Sequence, residues 1–244
     1  MRAVLLVAAF VGSVLPAIAQ WKLDDSFKAA KAEDLKDIES KAAPKDAIVL
    51  FDGKSLDNWV KTDGKGKPGW KLVDGGAMEG VTGEGDLMTK DTFDGKFTLH
   101  VEFRIPYEPK LQQGQGRGNS GVYIQGRYEV QVLDSYGLKS GKNDCAAIYD
   151  IHPPKENACK APTVWQSYDI EFASPEFDDA GKKKLKPVVM SVTHNGVKVH
   201  DGAKVEKDNT TAGLGGDPAK PGPILLQDHG HTVQYRNIWL LPAK

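Results

Sequence analysis

The chain has 244 residues, of which 40% are hydrophobic and 27% charged, and its 32 Lys and Arg nearly cancel its 33 Asp and Glu to a formal charge of −1. Near-neutral charge argues against a nucleic-acid binder, whose footprint is a basic face, and the hydrophobic content argues against a disordered chain. The length fits one large all-β domain or two small ones.

The opening segment reads as a leader. Arg2 precedes an almost wholly apolar run over residues 3–18, and Ala17-Ile18-Ala19 has the small-x-small form of a signal-peptidase site. Cleavage near Ala19/Gln20 predicts a periplasmic or secreted protein with no membrane attachment after processing. The rival reading, an uncleaved anchor, needs an apolar run of about 20 residues. Residues 20–44 are expected to form a helical extension. Their core, DDSFKAAKAEDLKDIESKAA, lacks Gly and Pro and opens with Asp and Ser as caps, while Phe27, Ala30, Leu35 and Ile38 make a thin apolar stripe and Pro44 a stop.

Beyond Pro44 the texture changes to short β-type runs separated by turn residues, at 48–51, 70–73, 97–105, 121–133, 168–172, 188–193, 197–200, 224–226 and 233–241. In 97–105, Phe97, Leu99, Val101, Phe103 and Ile105 share one face, and Thr98, His100, Glu102 and Arg104 the other. Asn195-Gly196 between two such runs is a strong hairpin signal. Without βαβ spacing, residues 45–244 are predicted to be all-β: a two-sheet antiparallel β-sandwich of the concanavalin-like jelly-roll kind. One polar, concave sheet face would suit a sugar, with Trp59, Trp70, Trp165 and Trp239 as stacking platforms or as core.

Cys145 and Cys159 are the only cysteines and stand fourteen positions apart. In an oxidising compartment a disulfide between them would close a short loop worth about 3 kcal/mol. Two free buried thiols are the alternative, and no second Cys pair accompanies them to suggest zinc.

The densest chemical signal runs from Asn119 to Asp134. Tyr123, Gln125, Arg127, Glu129 and Gln131 occupy successive odd positions, with Val122, Ile124, Val130 and Val132 facing the other way unless a hairpin or bulge at Gly126 breaks the register. Glu129-x-Gln131-x-x-Asp134 resembles the Glu-x-Asp-x-x-Glu strand of laminarinase-type glycosidases, but Gln replaces the middle acid and Asp the last. That departure weakens two-carboxylate hydrolysis and leaves Glu129 as a base or a metal ligand. In Asp228-His229-Gly230-His231 the two imidazoles would share a face on an extended strand and join Glu129 around a divalent cation; a turn at Gly230 would separate them. Residues 113–118, QGQGRG, lack a surrounding βα unit and read as a loop bordering a cleft, and residues 210–223 as a second long loop.

The stretches LFDGKSLDNW, NSGVYIQGRYEVQVLDSYG, AAIYDIHPPKENA, WQSYDIEF, HNGVKVHD, GPILLQDHG and YRNIWLLP together resemble the 3-keto-disaccharide hydrolase family, in the same order over residues 46–242. The resemblance implies a laminin-G-like sandwich acting on a glycoside already oxidised at C3 by a partner sugar 3-oxidoreductase. A C3 ketone acidifies the C2 proton, so a base can remove it, the enolate can expel the C1 substituent, and water can later add. Glu129 in YEVQ is then the candidate base or cation ligand, and Arg104 or Arg127 the stabiliser of the enolate oxygen. His152, supported by Asp150, is the candidate acid or else a loop histidine near the cysteines. Glu102, Asn119, Tyr123, Gln125, Gln131, Asp134, Trp165, Gln227, His229 and Arg236 would complete substrate binding. No cofactor is required by this chemistry, with a divalent cation as the alternative on Glu129, His229 and His231. A non-catalytic carbohydrate-binding module and an ordinary glycosidase are the competing readings.

Overall fold

A computed structural model describes residues 19–244; the leader expected over residues 1–19 thus lies, apart from Ala19, outside the described residues. Among the described residues fifteen strands follow one another. They are β1 (Ile48–Phe51), β2 (Trp59–Lys61), β3 (Lys71–Val73), β4 (Ala77–Glu79), β5 (Leu87–Thr89), β6 (Lys96–Arg104), β7 (Ser120–Ile124), β8 (Tyr128–Val132), β9 (Gln166–Ala173), β10 (Glu176–Phe177), β11 (Lys184–Lys186), β12 (Val188–His194), β13 (Val197–Val205), β14 (Leu225–Leu226) and β15 (Gln234–Pro242). Eight form one antiparallel sheet in the order β13-β12-β9-β6-β15-β4-β3 with β1 added on β15, and five form a second in the order β2-β5-β14-β7-β8. β10 and β11 make a separate small ribbon.

The sheets pack as a β-sandwich because each strand alternates as its sequence does. Phe97, Leu99, Val101 and Phe103 of β6, Tyr168, Ile170 and Phe172 of β9, and Met190 and Val192 of β12 meet Val122, Ile124, Val130 and Val132 of β7 and β8 in one buried core. The Asn195-Gly196 turn joins β12 to β13 with both residues at positive φ, 51° and 82°, as its hairpin requires.

The expected helix over residues 20–44 does not form. This segment contains only two short 3-10 turns, Ala19–Trp21 and Ala32–Leu35, and is otherwise irregular, with a turn over residues 24–27. An isolated helix with a thin apolar stripe is marginal in water, and docking satisfies the backbone better. Ala30 N donates to the Tyr136 hydroxyl (2.6 Å), Ile38 N to Trp165 O (3.1 Å), and Asp34 O accepts from Ala161 N (3.1 Å).

The expected disulfide is also absent. Cys145 and Cys159 are buried free thiols rather than a joined pair. Cys145 Sγ lies 3.1 Å from the Tyr168 hydroxyl and Cys159 Sγ 3.8 Å from Leu133 O, so both pack as small, weakly polar core groups.

Candidate active site

β7 and β8 are joined by a tight hairpin whose central residues Gln125 and Gly126 have φ of 55° and 63°, with Arg127 N donating to Ile124 O at 3.1 Å. The turn breaks the odd-position register at Gly126. Tyr123 faces Glu129 and Gly121 faces Gln131 across the ladder, so these side chains share the outer face of the five-stranded sheet. Gln125 and Arg127 fall beyond it.

A cleft opens on this face. It is lined by Asn119, Tyr123, Glu129, Gln131, Gln227 and His229, together with Gln115, Tyr149, Thr211 and Ala212 from the flanking loops. Glu129 is 2% exposed. Burial pushes its carboxyl up to about 8; the nearby Asp86 charge adds to the rise, while a hydrogen bond from Tyr123 opposes it. The Tyr123 hydroxyl also accepts from Gln227 Nε2 at 3.0 Å, which fixes it between the acid and the amide. Behind Glu129, its backbone N donates to Thr210 Oγ1 (3.1 Å), and that hydroxyl donates to Arg127 O (3.0 Å), pinning the 210–223 loop beside the cleft.

Three amides are organised around Gln115. Its Oε1 accepts from Asn119 Nδ2 (3.1 Å) and Gln131 Nε2 (3.4 Å), its main-chain O accepts from Asn119 Nδ2 (3.0 Å), and its Nε2 donates to Asn143 O (2.7 Å). Gln131 Oε1 in turn accepts from Val132 N at 3.0 Å. Larger surface depressions, about 470 Å³ beside Trp59 and Lys67 and about 330 Å³ beside Phe172 and Ser191, contain no buried ionisable group. A further depression of about 260 Å³ on the eight-stranded sheet does hold the buried His100, whose Nδ1 lies 2.8 Å from Asp169; Glu129 is the buried acid of the cleft on the five-stranded sheet.

Several expected site residues lie elsewhere. Glu102, Arg104, Trp165 and Arg236 occupy the outer face of the eight-stranded sheet, beneath residues 20–41. Arg104 stacks between Trp21 (4.6 Å) and Trp165 (4.9 Å), and Arg236 stacks on Trp165 (4.1 Å). Glu102 accepts from Arg236 Nε (2.7 Å), Asn237 Nδ2 (2.7 Å) and Ser40 Oγ (2.6 Å). Burial raises its carboxyl, but hydrogen bonds from His100, Ser40, Asn237 and Arg236 outweigh that and hold it at about 2. Arg127 Nη2 donates to Gln125 Oε1 (2.9 Å) and Lys220 O (2.6 Å), and Gln125 Nε2 donates to Phe93 O (3.0 Å), so this pair secures the hairpin tip rather than an oxyanion.

His152 donates from Nε2 to Lys204 O at 2.8 Å on β13 and is structural. Asp150 is ion-paired with Lys142 at 2.5 Å and hydrogen bonded to Thr211, at the rim rather than in the cleft. Asp134 is buried, raised by desolvation to about 6, accepts from Tyr136 N at 3.4 Å and lies 4.0 Å from Arg117. Gly230 adopts φ 83°, and His231 turns to Glu108, its Nδ1 2.7 Å from Oε2, leaving His229 alone at the cleft. The proposed cation ligands Glu129, His229 and His231 do not converge, and among the described residues no group of three His, Cys, Asp or Glu side chains is placed to hold a metal ion.

The missed lining residues Gln115, Tyr149 and Thr211 all come from loops. Two of those loops carry composition that marks them as cleft borders or long connections; Tyr149 is placed by donation of its N to Glu129 O (3.1 Å), a contact no local pattern announces.

A family model described as a 3-keto-alpha-glucoside-1,2-lyase-like domain matches residues 46–241. Among solved structures, a "putative glycosyl hydrolase" from Parabacteroides distasonis ATCC 8503 superposes with a TM-score of 0.73 at 34% identity, covering 82% of this chain and 85% of that one. Two more structures so described from the same organism share the fold, with TM-scores of 0.55 and 0.52 at 19% and 22% identity, covering 81% of this chain and 94% and 99% of theirs. A comparison with curated proteins finds no match.

Proposed function

The chain belongs to the 3-keto-alpha-glucoside-1,2-lyase-like family, and from that premise we propose that it cleaves 3-keto-glycosides by elimination across C1 and C2 followed by hydration. A carbohydrate-active, glycoside-directed role is common ground with its glycosyl hydrolase neighbours.

The observation that carries the finer reading is the solitary carboxyl. Among the described residues Glu129 is the one acid lining the cleft, with Asp86 nearby but outside the lining, whereas ordinary glycoside hydrolysis uses a facing pair. The last acid of a laminarinase-type strand corresponds to Asp134, which is buried beside Arg117 and does not line the cleft, and the middle acid is replaced by Gln131, tied to Gln115 and Val132. A single base of raised pKa suits abstraction of a proton α to a ketone, because a stronger base meets a weak carbon acid with less mismatch.

In the proposed sequence Glu129 takes the C2 proton and the C–H electrons form the enolate. The second proton of Gln227 Nε2 and the Tyr149 hydroxyl supply hydrogen bonds to the keto oxygen as its charge grows. The enolate collapses to a C1=C2 double bond as the C1–O bond breaks, and His229 protonates the departing oxygen. Addition of water at C1 and return of a proton to C2 completes net cleavage. Arg104, Arg127 and His152 do not line the cleft and take no part.

The substrate must be supplied by an enzyme that oxidises a glycoside at C3, which makes a sugar 3-oxidoreductase the functional partner. The apolar stretch and Ala17-Ile18-Ala19 support export to the periplasm or beyond. Incubation with a 3-keto-disaccharide and its unoxidised parent tests the activity: cleavage of the former alone supports it. Cleavage of both favours an ordinary glycosidase, and binding without cleavage a carbohydrate-binding module.

A further inference from the structure

The family match begins at residue 46, so the docked segment before it is additional to the matched domain. This segment holds two loops that do not belong to either sheet. Phe27 packs between Tyr107 (5.7 Å) and Tyr136 (5.6 Å). Tyr107 N donates to Gln20 O (2.7 Å) and its hydroxyl to Asp24 Oδ1 (3.1 Å), while the Tyr136 hydroxyl accepts from Ala30 N (2.6 Å) and donates to Asp34 Oδ2 (2.7 Å).

Those tyrosines bracket the loop that carries Gln115. Gln113 Nε2 donates to Tyr136 O at 3.2 Å, and Gln115 Nε2 to Asn143 O at 2.7 Å in the loop that follows Tyr136. Gln115 then accepts from Asn119 Nδ2 at both its main-chain and side-chain oxygens. With both amide protons so engaged, Asn119 offers the cleft its Oδ1, an acceptor, and an acceptor reads a hydroxyl on the ligand.

We propose that residues 20–34 are a brace that holds Gln115, and through it Asn119, in the orientation that accepts a hydrogen bond from a substrate sugar hydroxyl. This rests on the function proposed above for the ligand's identity, but the brace itself does not. Phe27 and Tyr136 are positioning residues, Gln115 borders the cleft but acts here through Asn119, and Asn119 is the one of the four that accepts from the sugar hydroxyl. Coupling runs through contiguous packed and hydrogen-bonded groups, so releasing the brace loosens the loop without moving Glu129 on its strand.

The test uses Phe27→Ala and Gln115→Ala in the full chain, with Phe27→Tyr as the conservative control. Amide hydrogen exchange over residues 113–119 is expected to quicken in Phe27→Ala while β6 and β9 stay protected, and to return to wild-type rates in Phe27→Tyr. KM for a 3-keto-disaccharide should rise about tenfold in both alanine variants, the effect of one lost neutral hydrogen bond, with kcat and its pH midpoint unchanged. Unaltered exchange in Phe27→Ala overturns the brace. Quickened exchange with unaltered KM overturns the link to Asn119. If wild-type protein leaves the 3-keto-disaccharide intact, the functional reading fails separately, and the exchange arm still decides the brace.

Discussion

Glu129 rests its carboxyl on Gly121 of the adjacent strand: a Cβ at that glycine would stand 2.5 Å from Glu129 Oε1 and 2.8 Å from Tyr123 Cε2. Only the missing side chain lets the acid lie flat across β7 while its hydrogen bond to Tyr123 survives. Gly121→Ala should therefore displace the base by about 1 Å and lower kcat/KM on a 3-keto-glycoside roughly a hundredfold. Circular dichroism should stay that of the wild type, because the φ of Gly121 is not in the left-handed region.

The pH dependence follows from the raised carboxyl. As a base Glu129 must be ionised, so kcat/KM should climb about tenfold per pH unit below about 8 and level off above it. Stability runs the other way. The unfolded chain gives up this proton near pH 4.5 while the folded one keeps it to about 8, so stability declines as pH rises through that window and is flat beyond it. Glu129→Gln should accordingly be inactive, yet melt higher than wild type at pH 8–9; thermal melts across pH check the sign.

Tyr123 opposes that rise through its hydrogen bond to Glu129. Tyr123→Phe removes the bond, so the midpoint of the kcat/KM profile should move further up and activity at neutral pH should fall. A pH–rate series on the variant reads it; an unmoved midpoint would show that the hydroxyl does not tune the acid.

Glu102 marks the other face. Its carboxyl is held at about 2 by four donors, and its side chain is fully buried against an Arg236 that is 22% exposed. Glu102→Ala should cost stability at the low end of the ~3–5 kcal/mol for breaking a buried ion pair, because Arg236 retains some water. The contribution is fully present above about pH 4.5 and lost as pH falls toward 2. Since Glu102 lies on the sheet opposite the cleft, kcat should hold while the melting temperature drops.

Much of this was legible in the residues. The alternation in β6 and the Asn195-Gly196 turn mark strands directly, and a break at Gly126 is foreshadowed by the Gly itself, so Tyr123, Glu129 and Gln131 could be placed together. Alternation says only that Glu102 and Arg104 avoid the core; whether they meet a sugar or the chain's own N-terminal segment depends on long-range docking. That same docking defeats helix propensity over residues 24–43, because Phe27 gains two aromatic neighbours that an isolated helix lacks. His152 shows the limit of motif reasoning, since its proton is committed to Lys204 O. Gln115 and Tyr149 reach the cleft by loop paths that no periodicity encodes.

The central claim is proton removal from C2 by Glu129, and cleavage of a 3-keto-disaccharide in D2O, followed by NMR of the released keto sugar, tests it most directly. Deuterium is expected at C2 of the hydrated product, or an unhydrated product with no C2 hydrogen, and no cleavage by Glu129→Gln. A cleaved sugar that keeps its original C2 hydrogen would contradict it.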